Sequence, residues 1–424
     1  MQLISLTPDT NYIESKMTDF DLLKHTCEAN SKLSTTVVDD FIMHYAAAKD
    51  GVGREVESHL KKYRHVDLSF QPGLANMLKA QFIIHKVFKK DGLINKYINR
   101  PEIKGRPAEE QAFLQHQLNN PWRFSFSEIV DSPAQDFYMM EDMFSGERFL
   151  LYSKNISVTL KEAPVMLWFN LIAYNGTCWQ SYGPVIGYTS FDDDDIFFFG
   201  TELNSFITDD EGLVIDIEKN PIPYMLLLTG SRYPITMNKE DQLVQCYAEH
   251  ILEVELDVKK LSVPFKVEYN KGVYKLALNE WDNPPHFAVV YYQESQQEVS
   301  LHAMTDRGFK SLADALVMNG VAISREPQLR VHPSMLVTAG KILKKTVRIE
   351  SFDSLFEKKG SREDSDMLTR MNALIGRILP DINSGRTPDL EKLAKEFDVD
   401  YENVKTVVSH MMERVASMRR GNRK

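Results

Sequence analysis

The sequence predicts an α+β multidomain protein: a helical N-terminal domain, a central antiparallel β-rich domain, and a small three-helix C-terminal module. Three observations predict it. The chain has 424 residues, too many for one ordinary hydrophobic core. Its apolar residues recur at helical spacing until about residue 120 and at strand-like spacing beyond. From Trp122 onward, turn signals arrive every eight to twelve residues, as they do in a meander. The expected boundaries are 1–120, 121–345 and 360–424.

In the first segment, Phe20, Leu22, Leu23 and Cys27 recur at helical spacing, as do Val37, Val38, Phe41, Ile42 and Tyr45. Further helices are expected over 53–66, 74–88 and 108–118. Gly51, Gly53 and Gln71-Pro72-Gly73 punctuate them, and Pro107 suits a first helical position. The central segment opens with expected strands at 124–130, 137–143, 149–152, 156–160, 166–174 and 177–182. Asn175-Gly176 reads as a two-residue type I′ turn, whose central residues both need positive φ. A further buried strand is expected at 196–199 and a helix at 241–249. Strands are then expected at 251–258, 265–269, 273–278 and 287–292, followed by a helix at 309–317 that ends at Asn319-Gly320.

The last sixty residues carry three apolar stripes. Met371, Leu374 and Ile378 belong to the first, Leu390, Leu393, Ala394 and Phe397 to the second, and Val404, Val407, Val408 and Met411 to the third. Ala394 at the contact, Val399 in the turn, and Val404 and Val407 beyond it give a helix-turn-helix-like pattern. Asp398 stands where glycine is common in such motifs, and Asp400 and Glu402 stand where phosphates would approach.

Charge is segregated. Residues 1–120 balance at +1, 121–300 at −16 and 301–424 at +5, within a net charge of −10. The middle therefore repels a polyanion, and the C-terminal third tolerates one. The expected nucleic-acid-contacting residues are Asn403, Lys405, Thr406, Arg414, Arg419, Arg420, Arg423 and Lys424. The partner is expected to be another protein or nucleic acid, reached through the C-terminal module.

Other chemistry has little purchase. Cys27, Cys178 and Cys246 are few and far apart, which argues against a disulfide framework and points to the cytoplasm. No run of about 18 apolar residues suggests a membrane span. HExxH, GxSxG, GxxxxGK[ST] and GxGxxG are missing, so the sequence implies no cofactor and no metal and leaves any catalytic residue unknown. Asp192–Asp195 reads as a solvated turn. Asp257-Val258-Lys259, with Glu253 and Glu255 upstream, gives the alternative: a strand-borne carboxylate and lysine, as in a metal-dependent hydrolase or nuclease. The aromatic bias of Trp122, Phe124, Tyr138, Tyr152, Trp168, Tyr174, Trp179, Tyr182 and Tyr188 is explained mostly by core packing.

The strand 126–130, Asp142 with Gly146-Glu147, the stretch 158–176 and the closing Gly183-Pro184 together resemble the β module of uncharacterised bacterial SEC-C-motif-containing proteins. The zinc motif itself is absent. The resemblance, over residues 124–188, implies a β-rich module and supplies no active site.

Overall fold

The computed structural model describes residues 19–68, 73–162, 165–231, 237–238, 241–279 and 287–356, and within 370–409 the residues 370–371, 373–378, 381, 388–402, 404–405 and 408–409. The chain divides into two compact units, residues 1–350 and 351–424. Helix and strand are mixed, with a helical N-terminal region and a sheet-rich centre.

The N-terminal helices are α1 (Phe20–Ser34), which continues through a π-helical stretch (Thr35–Ile42) into α2 (Met43–Lys49), then α3 (Val52–Lys62), α4 (Leu74–Phe88), the short α5 (Ile94–Tyr97) and α6 (Pro101–Lys104), and α7 (Ala108–Asn119). Asp19 starts α1 by accepting hydrogen bonds from the amides of Asp21 and Leu22 at 3.1 and 3.0 Å. Nine residues of α4 are buried, on all its faces, because it lies inside a core that Val37, Trp122, Phe169 and Ile342 also enter.

Five strands follow with one helix among them: β1 (Arg123–Ala134), β2 (Phe137–Asp142), β3 (Arg148–Tyr152), α8 (Lys154–Glu162), β4 (Leu167–Tyr174) and β5 (Trp179–Ser181). β1 pairs antiparallel with β4 through residues 123–127 and with β2 from Ser127 onward. Register breaks after Ile129 and Asp131 bend it between the two. β2 pairs with β3, β3 runs parallel to β5, and β5 pairs back with β4. The circuit is closed, so these strands form a small barrel, and β6 (Ile186–Tyr188) pairs with the start of β4, at residues 167–169, where β5 pairs with its end. Alternation sends Tyr138, Met140, Phe149, Leu151, Trp168 and Ile172 inward, where Ile156 of α8 joins them as a plug.

Beyond the barrel lie α9 (Asp193–Leu203), α10 (Asp210–Lys219), α11 (Pro221–Leu226) and α12 (Leu228–Ser231), then a two-residue-per-strand hairpin of β7 (Met237–Asn238) and β8 (Asp241–Gln242). A second sheet comprises β9 (Gln245–Ile251), β10 (Phe265–Asn270), β11 (Val273–Leu278), β12 (Ala288–Gln293), β13 (Glu298–Ala303) and β14 (Leu329–Val331). Its order is β10-β11-β12-β13-β9-β14, antiparallel throughout. α13 (Val258–Leu261) precedes β10. α14 (Asp306–Met318) covers one face with Phe309, Leu312, Ala313 and Leu316, which makes a second core. α14 ends at Asn319 with Gly320 at φ +86°, as the sequence predicts. α15 (Pro333–Leu343) returns to the first core.

Five local expectations are corrected. Residues 156–160 are helical: only Ile156 of that run is buried, while Val158 and Leu160 face solvent, so β-branching was no guide. Residues 196–199 belong to α9, because Asp192 and Asp195 form a reciprocal capping box in front of them. Residues 241–242 and 245–249 are in strands. Val244, Cys246 and Ala248 alternate inward, and the pairing of β9 on both sides outweighs the weak β propensity of Ala248 and the charge of Glu249. β9 ends at Ile251, so Asp257 lies on no strand and instead caps α13 by accepting from the Lys260 amide. Asn175-Gly176 also differs, since Tyr174 pairs with Trp179 across a four-residue loop. Gly176 has φ +98°, while the Asn175 side chain holds the loop by accepting from the amides of Thr177 and Cys178.

In the second unit, helix Leu390–Glu396 starts at Asp389, whose carboxylate accepts from the Lys392 amide at 3.1 Å. Leu374, Ile378, Leu393, Ala394, Val404 and Val408 form its core. Asp398 adopts the left-handed conformation, φ +51°, that glycine usually supplies in such turns.

Candidate binding site at the mouth of the barrel

The end of the barrel opposite α8 is built by the first residue of β1, the last of β2 and the first of β5. The guanidinium of Arg123 lies 3.5 Å from the Asp142 carboxylate and 2.6 Å from that of Glu147. It also stands over the rings of Trp179 and Phe149, at 4.9 and 5.7 Å. Asp142 is buried and fully used. It accepts from the Ser125 hydroxyl at 2.6 Å, the amides of Phe144 and Ser145 at 3.2 and 2.9 Å, and the Ser145 hydroxyl at 3.0 Å. That network shapes the β2–β3 turn and orients Arg123.

Below this rim the barrel interior holds polar groups in need of partners. Asn170 sits opposite Ser125 in the register and is only 1% exposed. Among the described residues, neither atom of its amide finds a hydrogen-bond partner, nor does the hydroxyl of Ser127. An orphaned amide in an apolar barrel costs free energy unless something meets it.

Outside the mouth a cleft of about 310 Å³ runs between the barrel and α10. Its walls are Trp122, Phe124, Phe126, Phe144 and Ile217, with Lys90 and Arg123 at the edge. Glu218 fixes the cleft's floor: one carboxylate oxygen accepts from the Phe124 amide at 2.7 Å, and the other lies 2.6 Å from His85 Nε2. Lys89 donates to the Glu218 carbonyl, and burial, more than any neighbour, pulls its ammonium below the usual lysine range. The cleft is of small-ligand size, apolar on its walls with both cationic and carboxylate groups in its lining.

The four aspartates make a second charged site, between α9 and β14. Arg330 bridges Asp192 at 2.6 Å and Asp306 at 2.9 Å. Asp195, nearly fully buried, accepts from the His332 amide at 2.8 Å. Burial first, then repulsion from Asp192 and Asp193, pushes the Asp194 carboxyl up to about 6. Burial likewise raises Glu128, with Asp193 and Asp192 adding repulsion. Among the described residues, no three of His, Cys, Asp and Glu stand close enough to share a metal ion.

Of the residues the sequence singles out for nucleic acid, Lys405 is described. It is exposed, 3.7 Å from the Glu402 carboxylate and over the Tyr401 ring. Asn403, Thr406, Arg414, Arg419, Arg420, Arg423 and Lys424 lie outside the described residues. The aromatics divide as core packing predicts: Trp122, Phe124, Tyr138, Tyr152, Trp168, Tyr182 and Tyr188 are buried, while Tyr174 and Trp179 are part-exposed at the mouth. Sequence reasoning missed Arg123, Asn170 and the His85–Glu218 pair. Asp142 and Glu147 were in view, as were the aromatics Trp122, Phe124 and Trp179, but without the arrangement that joins them. Fold and site together define a mixed helix-and-sheet chain with a ligand-sized cleft beside a closed barrel. Compared with known protein families, curated proteins and solved structures, the chain finds no match. Among the described residues, no helix is long and apolar enough to cross a membrane.

Proposed function

We propose that the chain is a non-catalytic adaptor or regulatory protein that binds a macromolecular partner, with residues 360–424 acting as a three-helix module for nucleic acid or ribonucleoprotein. The observation that carries a binding role is the barrel. Five closed strands with a helix between the third and fourth are the arrangement of the oligonucleotide- and oligosaccharide-binding barrels. This support is an analogy of fold, and fold alone does not fix function. The mouth adds recognition chemistry, namely a guanidinium between aromatic rings above an unsatisfied amide.

Charge argues for where a polyanion would dock. Glu128, Asp193 and Asp194 crowd one flank of the barrel region, so the cationic C-terminal third is the better landing place. In this reading the chain works in a reducing compartment such as the cytoplasm, in keeping with its three free thiols. The ultraviolet absorbance ratio of freshly purified protein tests the nucleic-acid limb: a ratio raised by nuclease-sensitive material supports it. A pure protein spectrum, with no binding to single- or double-stranded probes, removes it.

The competing reading is a metal-dependent hydrolase using central carboxylates. Asp257 is exposed, ion-paired to Lys260 at 3.1 Å and spent on a helix cap, so it lacks the strand geometry that motivated the idea. A rise in thermal midpoint with Mg²⁺ or Mn²⁺ that Asp194→Ala removes would restore this reading.

A further inference from the structure

Cys27 of α1 and Cys178 of the β4–β5 loop are 151 residues apart in sequence, yet their sulfurs lie 3.4 Å apart. Both are free and fully buried. The Asn175 amide points at them, 3.3 Å from the Cys27 sulfur and 3.6 Å from the Cys178 sulfur. Gln180 secures the same place by donating to the Cys27 carbonyl at 3.0 Å and accepting from Asn30 at 3.1 Å. A covalent bond of about 2 Å therefore needs only a small approach of the two side chains.

We infer that Cys27 and Cys178 form a thiol–disulfide latch that fastens α1 to the face of the barrel made by β2, β3 and β5. Phe137 and Tyr152 of that face pack with both cysteines, and Phe20 and Leu23 of α1 lie against them. This small cluster is separate from the main core, which α1 first meets near its end at Leu33 and the chain then enters at Val37 and Val38, within the π-helical stretch. The first half of α1 is thus held by few contacts and can open locally about that stretch, which exposes the pair to a small oxidant.

The oxidant is a low-molecular-weight disulfide. The Cys178 thiolate, favoured by the Cys27 S–H and the Asn175 amide, attacks one of its sulfurs and expels one thiolate, leaving a mixed disulfide. Cys27 then gives up its proton and attacks the Cys178 sulfur, expelling the second thiol. Two protein thiols become one disulfide, and one small disulfide becomes two thiols. The latch stands apart from any choice of partner.

The test uses the full chain, equilibrated under native conditions with oxidised glutathione, then acid-quenched, unfolded and alkylated. The expected product takes up one alkyl group, at Cys246, has lost two hydrogens, and yields a linked pair of peptides carrying Cys27 and Cys178. Its thermal midpoint lies above that of the dithiol form. In the Cys27→Ser variant the reaction stops halfway, with glutathione on Cys178. Three alkylatable thiols after equilibration, a cross-link involving Cys246, or a disulfide form less stable than the dithiol would each overturn the latch.

Discussion

At Asp194, the second residue of α9, two electrostatic effects oppose each other. The helix N-terminus favours a carboxylate by about 0.3–1 kcal/mol, while burial and the charges of Asp192 and Asp193 disfavour it. Repulsion and partial desolvation win even though the side chain reaches solvent, since the carboxyl rises from 3.8 to about 6. The folded chain therefore holds this proton more tightly than the unfolded chain does. Ionisation weakens the fold above pH about 6, and the penalty fades as pH falls towards 4. Asp194→Asn is expected to raise the thermal midpoint by roughly 1–2 °C at about pH 7.5 and to leave it unchanged near pH 4.5. A variant less stable than the parent at both values would show that the dipole prevails. Asn170 makes the complementary case. Its amide is buried and unmet, so Asn170→Leu, close in volume, should stabilise the chain by about 1–2 kcal/mol in urea unfolding. A loss of stability instead would mean that water or a ligand serves that amide.

Elements were legible where one signal dominated. The long helix α4, the hairpin β10–β11 and the end of α14 follow directly from apolar period and turn residues. They failed where two periods compete over a short run. The apolar stretch at 196–199 fits strand and helix equally, and only the reciprocal Asp192–Asp195 cap decides it. β9 is set by partners far away in sequence, β13 and β14, which no local pattern announces. Barrel closure is non-local for the same reason: it needs β1 to serve two partners and β3 to run parallel to β5. The mouth was illegible because Arg123, Asp142 and Trp179 converge only once the circuit closes. Close element contacts also explain a glycine that the sequence leaves anonymous. A Cβ on Gly230 of α12 would fall 1.8 Å from the Thr338 hydroxyl of α15. Gly230→Ala is expected to cost about 2–4 kcal/mol. Thr338→Gly in the same chain should recover part of that loss, as a double-mutant cycle in denaturant would show. Additive losses would place the fault elsewhere.

Across the whole molecule, charge is arranged against the average. A chain of net −10 keeps a balance of −16 between residues 121 and 300 and +5 beyond. Long-range repulsion from the centre slows a polyanion's approach everywhere except where local cations outweigh it. Residues 412–424 hold five of those cations, Arg414, Arg419, Arg420, Arg423 and Lys424. Each phosphate neutralised releases about 0.7–0.9 of a counterion, so losing five contacts should reduce the slope of log affinity against log salt by about 4. The measurement compares the full chain with a chain ending at Met411, titrating each with a single-stranded oligonucleotide from low to moderate salt. Charge reversal of the five residues, in a chain of full length, separates the loss of cations from the loss of chain. If the C-terminal module is the contact, both changes flatten the slope and weaken binding at low salt while the curves converge at high salt, where screening leaves only non-ionic contacts. If affinity and slope survive both changes, the nucleic-acid limb of the proposal fails, and the barrel mouth, where Arg123 lies over Trp179 and Phe149, becomes the place to look for the partner.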